Sequence, residues 1–281
     1  MKIGNPCYDL KMRKKMNKRV ILITGGGTGI GKATAILCAK QGMAVAVAGR
    51  RIEKLQQVVD QIKKQNGKAI PIVCDVQDEQ AVEKMFEKTI QTFGQLHAVF
   101  ANAGYSLAAD ICQTSTQQVK EIFETNFIGT FLTAKYAVKT FEKNGGLKGK
   151  HILICSSSLS HYSIPGFGIY SATKAAQLSL AQSLHTELKS KGCHVSTVHP
   201  VGTQTQLVVE AHDGVKRQIS NDNTPKLFIQ TSQKVARAII KCLKHPRRTQ
   251  VWPSPISWPL FCIFHALPGI TSALMRKIKK I

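Results

Sequence analysis

Short apolar runs alternate with helical stretches along most of this chain, and that alternation leaves few folds open. VILIT (20–24), AVAVA (44–48), AIPIVCD (69–75), LHAVFA (96–101), HILICS (151–156) and HVSTVHP (194–200) read as strands. Helical patterns lie between them: from Ile30 to about Gln41, RIEKLQQVVDQIKKQN with Gly67 as its stop signal, a stretch near 78–93, a long helix from about Thr116 to Lys143, and another over 168–190. SQKVARAIIKCLKH adds a last helix before a short strand near Gln250. Strands with no polar face need cover on both sides, and helical crossovers supply it. The pattern therefore predicts an α/β fold, a doubly wound parallel sheet with helices on both faces.

No internal repeat and no linker rich in Pro, Gly or Ser divides the chain, and 281 residues suit one such domain with a modest appendage. A domain over 17–255 is expected, with a basic arm at 1–16 and an apolar, basic tail at 256–281. The arm has no apolar h-region, so it does not read as a signal peptide. Translation starting at Met16 is an alternative, because MNKRVILITGG leads almost directly into the first strand.

The net charge of +23, from 39 Lys and Arg against 16 Asp and Glu, suits a polyanion or an anionic membrane surface, or serves solubility alone. Nucleic acid fits less well, since zinc-finger spacing, an RNP-like aromatic run and Arg/Gly segments are all missing. The eight cysteines are scattered without a CxxC pair, which points to free thiols in a reducing, cytoplasmic compartment. The nine histidines show no HExxH or HxxxH spacing, so no metal site is indicated.

TGGGTGIGKA (24–33) joins the first strand to the first helix. Glycines 25, 29 and 31 allow a tight turn, and the helix N-terminus offers N–H groups to a pyrophosphate. A plain tight turn would use the same residues. The second strand ends in AGRR (48–51), where a ribose 2′-hydroxyl would want an acid. Gly49 leaves that position empty. Arg50 and Arg51 follow, and a guanidinium fork matches a 2′-phosphate, favouring NADP(H) over NAD(H). Two solvated arginines at a helix start are the other reading, although they oppose the helix dipole.

Tyr170 and Lys174, in GIYSATKAAQ, share a helix face one turn apart. Alone, that spacing is commonly a coincidence of the surface. Together with TGGGTGIG, ANAG (101–104), Asn126 in ETNFIG and the serines at 156–158, it resembles the short-chain dehydrogenase/reductase family. The likeness covers about residues 20–245, with the motifs in the family's order. It implies a Rossmann-type fold with a seven-stranded parallel sheet, a nicotinamide cofactor, and the catalytic set Asn126, Ser157, Tyr170 and Lys174. Ser157 stands thirteen positions before the tyrosine, with Ser156 and Ser158 as close competitors.

The resemblance assigns the turn contacts to Gly25, Gly27, Thr28, Gly29 and Ile30, and the adenine side to Asp75 and Val76. Asn102, Ala103 and Gly104 would pack beside the cofactor, and Tyr170 and Lys174 would also touch it. After the sixth strand the run His199-Pro200-Val201-Gly202-Thr203 departs from the family, its glycine coming one position late. That departure bears on the contacts expected from Pro200, Val201 and Thr203 or Thr205.

This constellation suits carbonyl reduction. The ammonium of Lys174 would lower the pKa of Tyr170 and ease proton donation. Ser157 would donate to the substrate oxygen, and Asn126 would hold a water that continues the relay. The substrate loop (201–230) is expected to form a mobile lid, and SIPGFGIY supplies an apolar wall. That stretch is similar to 3-ketodihydrosphingosine reductases, so an apolar or lipid-like ketone is expected: a 3-keto-sphinganine, a 3-oxoacyl or a steroid-like compound. In the tail, Trp252, Trp258, Phe261 and Phe264 precede Arg276, Lys277, Lys279 and Lys280, which suits either an anionic membrane surface on the cytoplasmic side or packing on this or a partner subunit. The family commonly pairs through the helices at 116–143 and 168–190, implying a homodimer or homotetramer. An NADP-binding regulator or a polyanion- or membrane-surface-binding protein with little catalysis is the alternative.

Overall fold

All five residues of β1 (Val20–Thr24) are buried, and the strand runs through the middle of a seven-stranded sheet. The computed structural model describes residues 16, 18–204, 208–211, 216–218, 229–246 and 249–254, with single positions at 259, 262, 263, 266, 267 and 269; side chains are described at all of these except 204, 208–211 and 216–218. Beyond β1 the chain forms α1 (Gly29–Lys40), β2 (Ala44–Gly49), α2 (Ile52–Lys63), β3 (Ala69–Val73), α3 (Glu79–Phe93) and β4 (Ala98–Ala101). A short strand, β5 (Ser106–Ala108), and a 3-10 turn (Ile111–Gln113) come next. Then α4 (Thr116–Phe123) passes through a π-helical turn (Glu124–Ile128) into α5 (Gly129–Lys143). β6 (His151–Cys155), a 3-10 turn (Ser158–Ser160), α6 (Gly168–Lys189) and β7 (His194–Val198) follow. The last elements are β8 (Thr203–Gln204), β9 (Val208–Ala211), β10 (Lys216–Gln218), β11 (Gln230–Thr231), α7 (Ser232–Lys244) and β12 (Gln250–Val251).

The large sheet has the order β3-β2-β1-β4-β6-β7-β12, with every neighbouring pair parallel. Successive side chains point to opposite faces, so each strand feeds two cores. Ile21, Ile23, Val45, Val47 and Phe100 pack on one face with α1, α2 and α7. Leu22, Ala46, Val99, Ile152 and Ile154 pack on the other with α3, α5 and α6. The order reverses between β1 and β4. At such a switch point a crevice opens beyond the strand C-termini, and every loop singled out in the sequence leaves the sheet at that end.

Local chemistry fixes the helix ends. Asp78 accepts from the Gln80 and Ala81 amides to start α3, and Gly94 ends it at φ 71°. Ser115 and Gln118 form a reciprocal capping box at α4.

Some elements differ from expectation. The single helix from Thr116 to Lys143 is broken by the π-helical turn, whose extra residue a 3.6-residue periodicity does not reveal. β3 stops at Val73, and β4 begins at Ala98. The loop expected over 201–230 carries short strands: β9 pairs with β5 and β10, and β11 with β8. Residues 1–15 and most of the tail, with Trp258, Phe261, Phe264, Arg276, Lys277, Lys279 and Lys280, lie outside the described residues. Among the described residues, no helix is long and apolar enough to cross a membrane.

Candidate active site

The turn after β1 is built by close backbone approach. Gly25 sits at φ +62°, and a Cβ there would meet Asn102 Nδ2 at 2.9 Å. A Cβ on Gly31 would stand 2.3 Å from the Gly25 carbonyl oxygen. Asn102 ties the turn to β4: its amide donates to Thr24 Oγ1 at 3.0 Å, and its Nδ2 donates to the Thr24 carbonyl at 3.1 Å. The Ala103 amide also donates to Thr24 Oγ1. Thr28 precedes α1 in extended conformation, and its side chain makes no capping bond to the helix. The first-turn amides of α1 therefore face a glycine cradle with no side-chain cap, which fits a pyrophosphate.

The second and third strands deliver the next groups. Arg50 Nη1 lies 3.8 Å from Asp75 Oδ2, and both side chains are exposed. Asp75 Oδ1 accepts from the Gln77 amide. Val76 is buried against Gly129, where a Cβ would meet it at 2.5 Å. Beyond β7, the Pro200 carbonyl accepts from the Ser158 amide at 2.9 Å. Val201 is buried, Thr203 Oγ1 donates to its carbonyl at 2.8 Å, and the Gln230 amide bonds to Gly202. Thr205 lies outside the described residues.

Hydrogen bonding separates the three adjacent serines. Ser156 Oγ donates to the Lys174 carbonyl at 3.0 Å, and the Ser158 side chain bonds to Tyr162. Ser157 Oγ accepts from the Leu159 amide at 3.1 Å and shares a hydrogen bond with the Tyr170 hydroxyl. The amide occupies one of the oxygen's two acceptor sites and leaves the hydroxyl proton to be donated.

Lys174 is buried on α6, with Nζ 5.6 Å from the Tyr170 ring centroid. It donates to the Cys155 carbonyl and to Gln177 Oε1, each at 2.9 Å. Burial is the largest influence on both groups: it pushes the Tyr170 hydroxyl up, against the Ser157 hydrogen bond, and the Lys174 ammonium down. Lys174 is expected to lower the Tyr170 pKa; desolvation raises it instead, and the ammonium is turned toward carbonyl acceptors.

Asn126 is fully buried and held by protein groups. Its Oδ1 accepts from the Tyr105 amide at 3.0 Å, and its Nδ2 donates to the Tyr105 carbonyl and Thr173 Oγ1. Its carbonyl accepts from Gln177 Nε2 and Thr130 Oγ1. These bonds lock the loop before β5 onto the π-helical turn. A Cβ on Gly104 would meet Asn126 Oδ1 at 2.7 Å and Lys174 Nζ at 3.8 Å, so this glycine borders the same space.

Two residues given no site role in the sequence, Gln177 and His199, complete the site, and Trp252, expected in the tail, packs against one of them. Gln177 bridges Lys174 to Asn126, at i+3 spacing that could have drawn attention to a polar residue beside the lysine. His199, fully buried, bonds through Nδ1 to the Ser157 carbonyl at 3.0 Å and through Nε2 to Thr197 Oγ1 at 2.7 Å. Trp252 stacks on His199 at 4.6 Å between ring centroids, and no sequence spacing signals that contact. Among the described residues, no group of three or more His, Cys, Asp or Glu could hold a metal ion.

Comparison with known proteins agrees with this architecture. The family model described as short chain dehydrogenase matches residues 19–216. An uncharacterized oxidoreductase of Thermotoga maritima is 37% identical over 188 residues, 67% of this chain and 73% of that protein. A short chain dehydrogenase of Burkholderia cenocepacia, solved with NADP, superposes with TM-score 0.72 at 22% identity, over 84% of this chain and 95% of that one. A short chain dehydrogenase/reductase of Burkholderia phymatum, solved with NAD, gives TM-score 0.79 at 22% identity, over 91% and 96%. The chain belongs to the short-chain dehydrogenase/reductase family of oxidoreductases.

Proposed function

We propose that this protein is an NADP(H)-dependent oxidoreductase that interconverts a ketone and a secondary alcohol, with Tyr170, Ser157, Lys174 and Asn126 as its catalytic set. The observation that carries the reading is the Tyr170–Ser157 hydrogen bond with Lys174 behind the ring, at the same end of the sheet as the glycine cradle. Gly25, Gly27, Thr28, Gly29 and Ile30 would hold the pyrophosphate. Asp75 and Val76 would border the adenine, and Asn102, Ala103 and Gly104 the middle of the cofactor. Pro200, Val201 and Thr203 would flank the nicotinamide. Arg50, exposed at the end of β2 where Gly49 replaces an acid, favours the 2′-phosphate.

The bound nicotinamide supplies the hydride. Tyr170, kept protonated by burial, gives its proton to the carbonyl oxygen as that oxygen gains charge. Ser157 donates a hydrogen bond to the same oxygen. Lys174 offers its ammonium to the tyrosinate left behind and can reach the ribose hydroxyls. Asn126 holds the loop before β5 in register with this group.

An apolar, lipid-like substrate is supported by the surfaces next to Tyr170. Phe167 meets its ring edge-on at 6.4 Å, and Ile111, 71% exposed, lies 3.6 Å from where a Cβ on Gly168 would sit. The helices α4, α5 and α6 suit a homodimer or homotetramer. In the tail, Ile263 and Leu267 are exposed one helical turn apart, with the Leu267 amide bonded to the Ile263 carbonyl, which suits peripheral contact with an anionic membrane on the cytoplasmic side. An NADPH-oxidation screen against long-chain ketones, steroids, 3-oxoacyl thioesters and quinones tests the function. Turnover of an apolar ketone that Tyr170→Phe abolishes is the expected result, and turnover retained in that variant overturns the assignment.

A further inference from the structure

Gln177 is 1% exposed, and a long polar side chain is costly to bury unless its hydrogen bonds are made. Both ends of its amide are engaged. Oε1 accepts from Lys174 Nζ at 2.9 Å, and Nε2 donates to the Asn126 carbonyl at 2.6 Å and contacts Thr130 Oγ1 at 2.6 Å. The Asn126 carbonyl can only accept, so the nitrogen must face it and the oxygen must face the lysine. Chemistry alone thus fixes the orientation of the amide.

The Asn126 carbonyl belongs to the π-helical turn. It stands where α4 gives way to α5, and it takes hydrogen bonds from Gln177 and from Thr130 Oγ1, the latter at 2.7 Å. We propose that Gln177 is a positioning residue that anchors the Lys174 ammonium to the π-helical turn and so keeps a fixed charge beside Tyr170. The proposal rests on the catalytic reading above. An ammonium on a flexible four-carbon stem is otherwise free to turn its three donors. Here two fixed acceptors, Gln177 Oε1 and the Cys155 carbonyl, hold it within the crevice wall. An amide also exchanges no proton near neutral pH, so this link holds the charge in place and does not conduct it.

The titratable groups facing Lys174 are Tyr170 on its own helix and the Cys155 thiol on β6. The π-helical turn and α5 present Asn126 and Thr130, which do not titrate. Burial already disfavours the ammonium, and loss of an acceptor adds to that.

The test follows Lys174 directly by NMR in protein labelled with 13Cε-lysine and saturated with NADP+, its resonance assigned by its loss in Lys174→Met. Gln177→Met removes the acceptor at nearly constant volume and leaves the Asn126 carbonyl its bond from Thr130. The titration midpoint of Lys174 should fall by about one pH unit, a tenfold loss of proton affinity. Gln177→Glu, which puts a charged acceptor against the lysine, should move it up, and it serves as well if the methionine variant fails to fold. Thr130→Val, which removes one contact of the Gln177 amide but leaves it bonded to the Asn126 carbonyl and Lys174, should move it less. A midpoint unchanged in Gln177→Met, or displaced equally in Thr130→Val, overturns the proposal. Turnover retained in Tyr170→Phe sinks the catalytic reading instead, and the lysine titration is independent of that result.

Discussion

The half-buried phenol of Tyr170 and the buried ammonium of Lys174 are each pushed toward the neutral form by desolvation. In this protein the effect keeps the proton on Tyr170, the form needed to donate to a carbonyl. Tyr170→Phe should lower turnover by at least 100-fold, the usual scale of a lost general acid, while NADPH fluorescence titration shows unchanged binding. Arg50 is exposed, and its pairing with Asp75 at 3.8 Å contributes little to stability. Arg50→Ala should therefore leave the melting temperature alone. It should weaken NADPH by about 10- to 100-fold, the scale of a charge-assisted hydrogen bond, and leave NADH unchanged. Calorimetric titration of both cofactors checks this, and equal losses would remove the 2′-phosphate contact. The positions of Tyr170, Lys174 and Ser157 were legible because spacing along one helix and one strand end carries them. What they touch was not, because Gln177 and His199 reach them from polar positions that have ordinary structural uses elsewhere, and Trp252 stacks on His199 behind them.

The strand–turn–helix unit from β1 to α1 tolerates almost no added volume. Gly31 is the tightest point, since a Cβ would overlap the Gly25 carbonyl oxygen at 2.3 Å, and backbone cannot give way as a flexible side chain can. Gly31→Ala should cost about 1–3 kcal/mol by overpacking and reduce dinucleotide binding with it, read by urea unfolding and NADPH fluorescence. Binding retained at wild-type affinity would show that the cradle adjusts. At α4 the capping box is a milder case: Ser115→Ala should cost about 1 kcal/mol in the same unfolding assay. The elements themselves were legible wherever apolar period and length agreed, as for β1, α2 and β6. The π-helical turn was not, because inserting one residue shifts the apolar stripe by less than a helix face. The pairing of β9 with β5 was hidden for another reason: strands of three or four residues in a polar segment have too short a pattern to read.

Across the whole molecule the excess of positive charge meets two buried histidines and one half-buried one. His97 and His151 sit at the N-terminal ends of strands, near Arg19 and Lys150, and burial lowers their pKa values to about 4 and about 3. His199, at the opposite end, is lowered to about 3, again chiefly by burial. All three are held neutral in the fold, whereas an unfolded histidine titrates near 6.5. Between those values the unfolded chain binds more protons, so stability rises with pH there. It is complete above about pH 6.5 and is lost as pH falls toward 4 and then 3. For each fully buried histidine the slope approaches about 1.4 kcal/mol per pH unit. The net charge of +23 also grows on acidification, and its self-repulsion acts in the same direction. Salt separates the two causes, because it screens repulsion between exposed charges and leaves the cost of charging a buried imidazole nearly unchanged. Urea unfolding at pH 7, 6, 5 and 4 should therefore show a steep loss of stability that persists in 0.5 M salt. His151→Gln, which can still bond to Ser196, should flatten the curve below pH 6. A loss that disappears in salt, or a variant as steep as the wild type, would assign the acid sensitivity to surface charge instead.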